Sequence, residues 1–309
     1  MKFPMQDKVN LLDIGARYGL QEPWKQWQDQ VTPVLVEPEE AEYRRLKARY
    51  PHVFNVALAD SEGSRELYIA RGAGKSSIYR PNLAFLDQFP KPERFHTVAT
   101  QQVTTTTLDA LYARRKLPRI DAVKIDVQGA ELDILRGGKR LLGDQLLALQ
   151  VEVCFGEMYE GYPHFCAIDG FVRGLGGIHL QDLSKRHWHY AQGKHLDAKG
   201  RLVFGDALYF ADLERIMEMA APEAAVQRAA FIAMIYGFPD YSLHLLRGSG
   251  LTGARMTEAT RYLEKFCARK LAIPSRAMRR GLKALAAFFP ATGEDGSVGA
   301  KRIFGRLYW

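Results

Sequence analysis

The residues whose types and spacing can do chemistry sit at the ends of short apolar runs. Val9 to Asp13 runs into Gly15, Ala16 and Gly19, and in a doubly wound sheet the carboxyl end of the first strand is where an adenosine-bearing cofactor approaches the backbone. Gly15, Arg17 and Gly19 do not satisfy G-x-G-x-x-G. Asp13, ahead of the glycines, disfavours a pyrophosphate by like-charge repulsion and favours a cation-bearing ligand such as a sulfonium amino acid. The alternative is a plain strand-to-helix turn sharpened by glycine.

Glu37 ends a second apolar run, Val34 to Val36, where an acid can take both hydroxyls of a ribose. It can equally complement the dipole of the helix that Glu39 and Glu40 open. Asp60, after Ala57 to Ala59, is placed for an adenine amino group, although Asp-Ser-Glu-Gly is also ordinary turn chemistry. The segment Lys124-Ile125-Asp126-Val127-Gln128-Gly129-Ala130-Glu131 takes an apolar strand into an acid, an amide and a glycine before a helix. A charge at such a strand end needs a partner, which makes Asp126 a site candidate. Glu152, near the end of the next strand, can face the same crevice. Two carboxylates there can hold a divalent cation, or one can accept a hydroxyl proton; alternatively Glu131 and Glu152 pair with basic neighbours or cap backbone amides. Tyr159 and Tyr162, with His164, can border an acceptor pocket or simply pack a loop.

Two patterns are set aside. Gly72-Ala73-Gly74-Lys75-Ser76 has Ile69 where a phosphate-binding loop needs its first glycine, and no helix pattern follows it. His187, His189 and His195 around Trp188 lack the i, i+4 spacing of a helical metal pair, so a surface or substrate contact is expected.

Strand and helix patterns alternate through the elements that must position these groups. Strands are expected over Val9 to Asp13, Val34 to Glu37, Val53 to Leu58, Val98 to Thr107, Ile120 to Val127, Leu146 to Cys154, Ile178 to Leu183 and Ala207 to Phe210, with a hairpin arm over Arg65 to Ile69. Helices are expected over Pro23 to Gln30, Glu39 to Tyr50, Leu108 to Arg115 with Thr107 as cap, Ala130 to Leu142, and about 165 to 175. Residues 71 to 95 read as loop. From Asp212 the texture turns to Ala, Leu, Met and Arg without strand signals, which predicts a helical C-terminal region. The alternation means an α/β fold, a parallel sheet with helices on both faces.

The ordered set of Asp13 to Gly19, Val36-Glu37-Pro38, Ala57 to Asp60 with Gly63, Thr107-Leu108-Asp109 and above all Lys124 to Glu131 resembles the FkbM family of S-adenosylmethionine-dependent methyltransferases. The resemblance spans about residues 9 to 210. It implies a class I methyltransferase (Rossmann-like), mostly parallel seven-stranded sheet, O-methylation of a sugar, glycan or natural-product hydroxyl, and S-adenosylmethionine as cofactor. On that resemblance Asp13, Gly15, Ala16 and Gly19 meet the cofactor's methionine end, Glu37 its ribose and Asp60 its adenine. The sulfonium then faces Asp126 and Gln128, the acceptor's proton goes to Asp126 or Glu152, and the loop with Ser76 lies over the acceptor beside Tyr159 and Tyr162. The sequence departs from the family pattern at Arg17, where a small polar residue is common, and at Gln128, where Glu is common. Residues 1–211 form the expected methyltransferase domain and residues 212–309 a helical basic extension.

The 309 residues are 47% hydrophobic, which excludes disorder and collagen-like classes. Three cysteines, Cys154, Cys166 and Cys267, without a C-x-x-C pair encode neither a disulfide framework nor a cysteine zinc site. The N-terminus lacks the apolar stretch of a signal peptide and no run of about 18 apolar residues occurs, so a cytoplasmic protein without an integral membrane segment is expected. The formal charge of +8 lies wholly in residues 251–309, with 12 Lys or Arg against 4 Asp or Glu. Met278 to Phe289 is basic and amphipathic and can touch an anionic surface or pack as an ordinary helix. Nucleic acid is the weaker reading of this tail, because the place where exocyclic-amine methylases carry Asn or Asp before Pro-Pro reads Asp126-Val127-Gln128-Gly129. A non-catalytic cofactor-binding module is the remaining rival.

Overall fold

The computed structural model describes residues 2–271 apart from Ala73, Arg115 and Lys194. The chain divides into two compact units, Gln6–Ala229, and Met1–Met5 with the segment from Ala230 onward. In the first unit eleven strands make two sheets. The main sheet has the order β3 (His52–Phe54), β2 (Val31–Val36), β1 (Val9–Ile14), β7 (Ala122–Ile125), β8 (Ala148–Cys154), β11 (Arg201–Ala211). Its first five members are parallel and β11 runs antiparallel to β8. Beyond β11 the edge is shared by β9 (Ile178–Leu183) and β10 (Arg186–Trp188). The expected seven positions across the sheet therefore carry eight strands. The division falls at Ser184, whose hydroxyl donates to Asp206 Oδ2 at 2.9 Å and accepts from Asp206 N at 3.0 Å, holding the bulged edge to β11.

Strands β1, β2, β7 and β8 are near-continuous apolar runs because both of their faces are covered. Leu12, Ile14, Val34, Val123, Leu149 and Val151, all within 1–2% of full burial or better, form the centre of one core. Helices α3 (Leu108–Ala113), α4 (Glu131–Gly137), α5 (Lys139–Gln145) and α6 (Phe165–Arg173) supply Leu111, Leu135, Leu142 and Ile168 to it. On the other side, α1 (Glu40–Lys47) brings Leu46 against Ala16, Leu35 and Val53.

Four expectations change in detail. Val53 to Leu58 is not one strand: β3 ends at Phe54, and β4 (Ala57–Leu58) joins a second, three-stranded sheet with β6 (Thr97–Thr106) and β5 (Gly63–Ala70). Asn55 turns the chain between them, its amide donating to the carbonyls of Glu37 and Pro38 at 3.2 and 3.1 Å. The helix expected over Ala130 to Leu142 breaks into α4 and α5 at Gly138. The loop of residues 71–95 contains α2 (Leu83–Leu86), capped by the Asn82 side chain, and a 3-10 turn, and the expected helix Pro23 to Gln30 is a 3-10 segment over Trp24–Gln30. Thr107 caps α3 as expected, accepting from Ala110 N at 3.0 Å.

After β11 the described chain is helical: α7 (Leu213–Met217), α8 (Pro222–Ile235), α9 (Pro239–Gly248) and α10 (Ala254–Leu271). In the second unit Phe3 packs on Phe231 and Tyr262 with ring centroids 5.7 and 5.4 Å apart, and Ser242 donates to the Ala230 carbonyl at 2.7 Å. Among the described residues no helix is long and apolar enough to cross a membrane. The basic amphipathic stretch 278–289 lies outside the described residues.

Candidate active site

The carboxyl ends of β1, β2, β7 and β8 bring most of the sequence's candidates to one edge. Gly15 makes the first turn possible: its φ is +82°, and a Cβ there would stand 2.1 Å from the Asp126 carbonyl oxygen. Gly15 N and Ala16 N both donate to the Val36 carbonyl, and Gly19 N closes the turn on Ala16 O at 2.8 Å. The loop after β1 is thus stitched to the end of β2, with Gly15 packed against the residue that follows β7.

Asp13 is buried at 1% exposure and accepts from Lys124 Nζ at 3.1 Å. Burial pushes its carboxyl above the ordinary range, against the pull of Lys124. Its charge partner is therefore a lysine of the chain itself. Glu37 is also buried; its Oε1 accepts from Glu39 N at 2.9 Å and its second oxygen has no partner among the described residues. Burial raises this carboxyl as well, partly offset by the Glu39 amide. Arg17 forms an ion pair with Glu39 beside it. Asp60 does not join this cluster: it is exposed and bonded to Arg65 at 2.6 Å and Ser61 at 2.9 Å.

Gln128 is the centre of the site. Its φ of +63° is a left-handed conformation rarely adopted by a side-chain-bearing residue. From there its amide Nε2 donates to Asp126 Oδ1 at 3.1 Å and to Glu152 Oε2 at 2.9 Å. Its Oε1 accepts from Lys75 Nζ at 3.2 Å and lies 3.2 Å from the Tyr159 hydroxyl, whose single proton is also within reach of the Lys75 carbonyl at 3.1 Å. Ser77 donates to the Gln128 carbonyl at 2.6 Å and fastens the backbone. The amide thus has both donors engaged and its oxygen held by Lys75, with the Tyr159 proton shared between that oxygen and the Lys75 carbonyl.

Asp126 is exposed, contrary to the expectation of a buried strand-end charge, whereas Gln128, Glu131 and Glu152 are buried. Burial, then the Asp126 and Glu131 charges, raise Glu152 well above the ordinary carboxylate range, while Lys75 pulls it back. Glu131 takes the capping alternative: its two oxygens accept from Val127 N at 3.0 Å and Gly129 N at 2.9 Å, and burial pushes it up to about 7. Among the described residues no group of three or more His, Cys, Asp or Glu is placed to hold a metal ion.

The substrate-side candidates divide. Tyr159 joins the Gln128 cluster, whereas the Tyr162 hydroxyl donates to the Gly156 carbonyl and its ring packs on Tyr159 and Tyr79. Ser76 accepts from Ala70 N at 3.1 Å and closes its own loop; Ser77, next in sequence, is the one that reaches the site. Lys75 was missed as a site residue, and the loop expected over the site reaches it through Ser77 rather than Ser76. The only signal for Lys75 was the Gly72 to Ser76 pattern, which resembles a phosphate loop and here delivers a lysine to an amide. Lys124, inside the recognised segment, was missed as the partner of Asp13.

A family model described as the methyltransferase FkbM domain matches residues 13–177, more than half of the chain. Among solved structures the chain is similar to an FkbM methyltransferase from Methylobacillus flagellatus KT, at 13% identity and a TM-score of 0.37 over 66% of this chain. The chain spans 44% of that protein's length. It is also similar to Sp1610 from Streptococcus pneumoniae, a candidate tRNA (m1A22) methyltransferase, at 11% identity and a TM-score of 0.31 over 84% of this chain and 92% of that one. A third likeness, to WbdD, has 12% identity and a TM-score of 0.29 over 66% of this chain and 36% of that one. No curated protein matches the chain. On the family match, the chain belongs to the FkbM methyltransferases.

Proposed function

We propose that the chain is an S-adenosylmethionine-dependent O-methyltransferase acting on a hydroxyl of a sugar, glycan or natural product. The observation that carries this reading is the convergence of Asp126 and Glu152 on one amide at the carboxyl ends of β7 and β8, beside the Gly15 turn. Bound S-adenosylmethionine supplies an activated methyl group on a sulfonium.

The residues present suit that ligand. Gly15 lets the turn after β1 close against the Asp126 carbonyl at the strand ends, Glu37 offers a carboxyl oxygen for ribose hydroxyls, and the acidic cluster attracts a cation. The Asp60 carboxylate would take the adenine amino group. Methyl transfer to oxygen is mostly a matter of in-line placement, with a base for the departing hydroxyl proton. Glu152 suits that base: it shares the Gln128 amide with Asp126 at the strand ends, and burial raises its affinity for a proton. Gln128 holds Glu152 and Asp126 at fixed spacing, and Lys75 with Tyr159 fixes which end of the amide faces them.

Titration calorimetry with S-adenosylmethionine and S-adenosylhomocysteine tests the reading. Saturable binding is expected, weakened about tenfold or more in Glu37→Ala, the equivalent of losing one or two hydrogen bonds to a charged group. Absence of binding by the folded protein would overturn it.

A further inference from the structure

Charge is unevenly distributed over the catalytic unit. Residues 1–250 hold 31 Lys or Arg and 31 Asp or Glu, yet residues 71–95 hold five against two and residues 184–201 five against one. These two segments together carry a formal +7, which leaves −7 on the rest of that stretch. They are neighbours in space. Ala191 N donates to the Gln88 carbonyl at 2.9 Å, and Trp188 packs on Phe89 and Phe95 at 5.3 and 6.0 Å.

Elsewhere in the unit the cations are mixed: Lys8, Lys25, Lys47, Arg49, Lys116, Arg136 and Lys139 make no ion pair among the described residues, while others do. Arg17, Arg44, Arg45, Arg65, Arg114 and Arg119 each pair with a carboxylate. Among the described residues none of Arg71, Lys75, Arg94, Lys185, Arg186 and Lys199 does so. A cluster of unpaired like charges raises its own electrostatic energy unless an anion meets it. The lobe also runs into the site: Lys75 Nζ bonds Gln128 and lies 5.7 Å over the Phe95 ring, Phe95 touches Trp188, and Trp188 touches Phe89. At the outer end Tyr190, 46% exposed, stacks on Phe89 at 5.2 Å and 18°.

We propose that the methyl acceptor is an anionic saccharide, bearing carboxylate or phosphate groups, held on this lobe by its unpaired cations with one sugar face against Tyr190. The proposal rests on the methyltransferase reading of the adjoining sheet edge. A saccharide fits better than a nucleic acid because base stacking wants several exposed rings in succession. Here Phe85, Phe89, Phe95, Tyr159 and Tyr162 are buried and Tyr190 is the ring of this cluster that is exposed.

Equilibrium binding by the full chain would be measured with an oligogalacturonate, a phosphorylated mannose oligosaccharide, neutral maltohexaose and a single-stranded RNA of matched charge. At least one acidic saccharide should bind about tenfold tighter than maltohexaose and weaken about tenfold between about 50 and 200 mM salt; which one binds distinguishes carboxylate from phosphate. The triple variant Arg71→Ala, Lys185→Ala, Lys199→Ala, all at exposed positions, should lose about fivefold or more. Tyr190→Ala should lose affinity with the salt slope unchanged. No preference over maltohexaose, tighter binding of the RNA, or loss in Arg279→Ser, Arg280→Ser but not in the lobe variants would overturn the proposal. S-adenosylmethionine binding, measured in parallel, reports on the methyltransferase reading separately: its failure beside intact saccharide binding sinks that reading and not the anion site.

Discussion

Gln128 makes its four polar contacts from a backbone conformation that costs about 1 kcal/mol or more for any residue with a Cβ. Strain kept at a buried polar hub marks a position whose surroundings over-determine it. Two variants separate the terms. Gln128→Ala removes the donor to buried Glu152 and should lower stability in urea melts by about 1–3 kcal/mol. Gln128→Gly removes the same contacts but relieves the backbone, and should be about 1 kcal/mol more stable than the alanine variant. Equal stabilities would show that the left-handed turn carries no strain. The family-typical Glu at this position would place a third carboxylate between Asp126 and Glu152, which explains physically why an amide suits this particular cluster.

Glu131 gives a pH-dependent prediction. Its carboxyl titrates near 7 when folded, against an ordinary 4.5, because burial disfavours the charge. The folded state therefore holds the proton more tightly, so the contribution to stability is complete below about 4.5 and is lost as pH rises to about 7. Glu131→Gln removes this titration. The stability of the native protein relative to the variant should fall by an amount on the order of 3 kcal/mol between about pH 4.5 and 7.5. A pH-independent difference in denaturant midpoints would refute it. The residue types of this site were legible in Lys124 to Glu131, whereas the division of labour was not. Whether a glutamate caps amides or meets substrate depends on which way the chain turns after Asp126.

At the scale of elements, α4 and the small sheet meet at a glycine. Gly137, on α4, lies so close to β4 that a Cβ would stand 2.1 Å from the Ala59 carbonyl oxygen. This approach packs Ala59 and Asp60 against the last residue of α4, which ends before Gly138. Gly137→Ala should cost about 1–3 kcal/mol by overpacking. Gly143→Ala, at an exposed position of α5 with nothing within 4 Å of the added carbon, should instead gain about 0.5–1 kcal/mol. Thermal or urea melts that ranked the two alike would contradict the packing argument. The sequence reads one helix through the Gly137-Gly138 pair to Leu142, and Ala59, against which Gly137 packs, lies 78 residues away. Likewise the three-residue β3 and two-residue β4 were read as one strand, since an apolar run does not say which sheet it joins.

For the whole chain, the two ends of the main sheet have different work. At the amino end Asp121, 1% exposed, accepts from Asn10 N at 2.8 Å, Arg119 at 3.0 Å and Arg228 at 2.8 Å. Arg228 belongs to α8, so this buried cluster ties residues far along the chain to the start of β1 and β7 within the first unit. Arg228→Ala leaves Asp121 with fewer donors and should lower stability by about 2–4 kcal/mol. Calorimetric affinity for S-adenosylmethionine should not change, because the carboxyl ends of the strands are untouched. A loss of affinity in a variant that remains folded at the assay temperature would show that the two ends are coupled.

What the sequence determined by itself was local and periodic: the apolar runs that become β1, β2, β7 and β8, the glycine turn after Asp13, the Thr107 cap, and the acids at strand ends that carry the family resemblance. Each depends on neighbours a few residues away, and strand alternation plus turn chemistry records such neighbours directly. Only the tertiary structure decided that Lys75 and Ser77 meet Gln128, 53 and 51 residues distant, that Lys124 neutralises Asp13, and that Asp126 is exposed while Glu152 is buried. Contacts of that range are set by the register of strands and by where loops cross the sheet edge, and those follow from packing the whole unit at once.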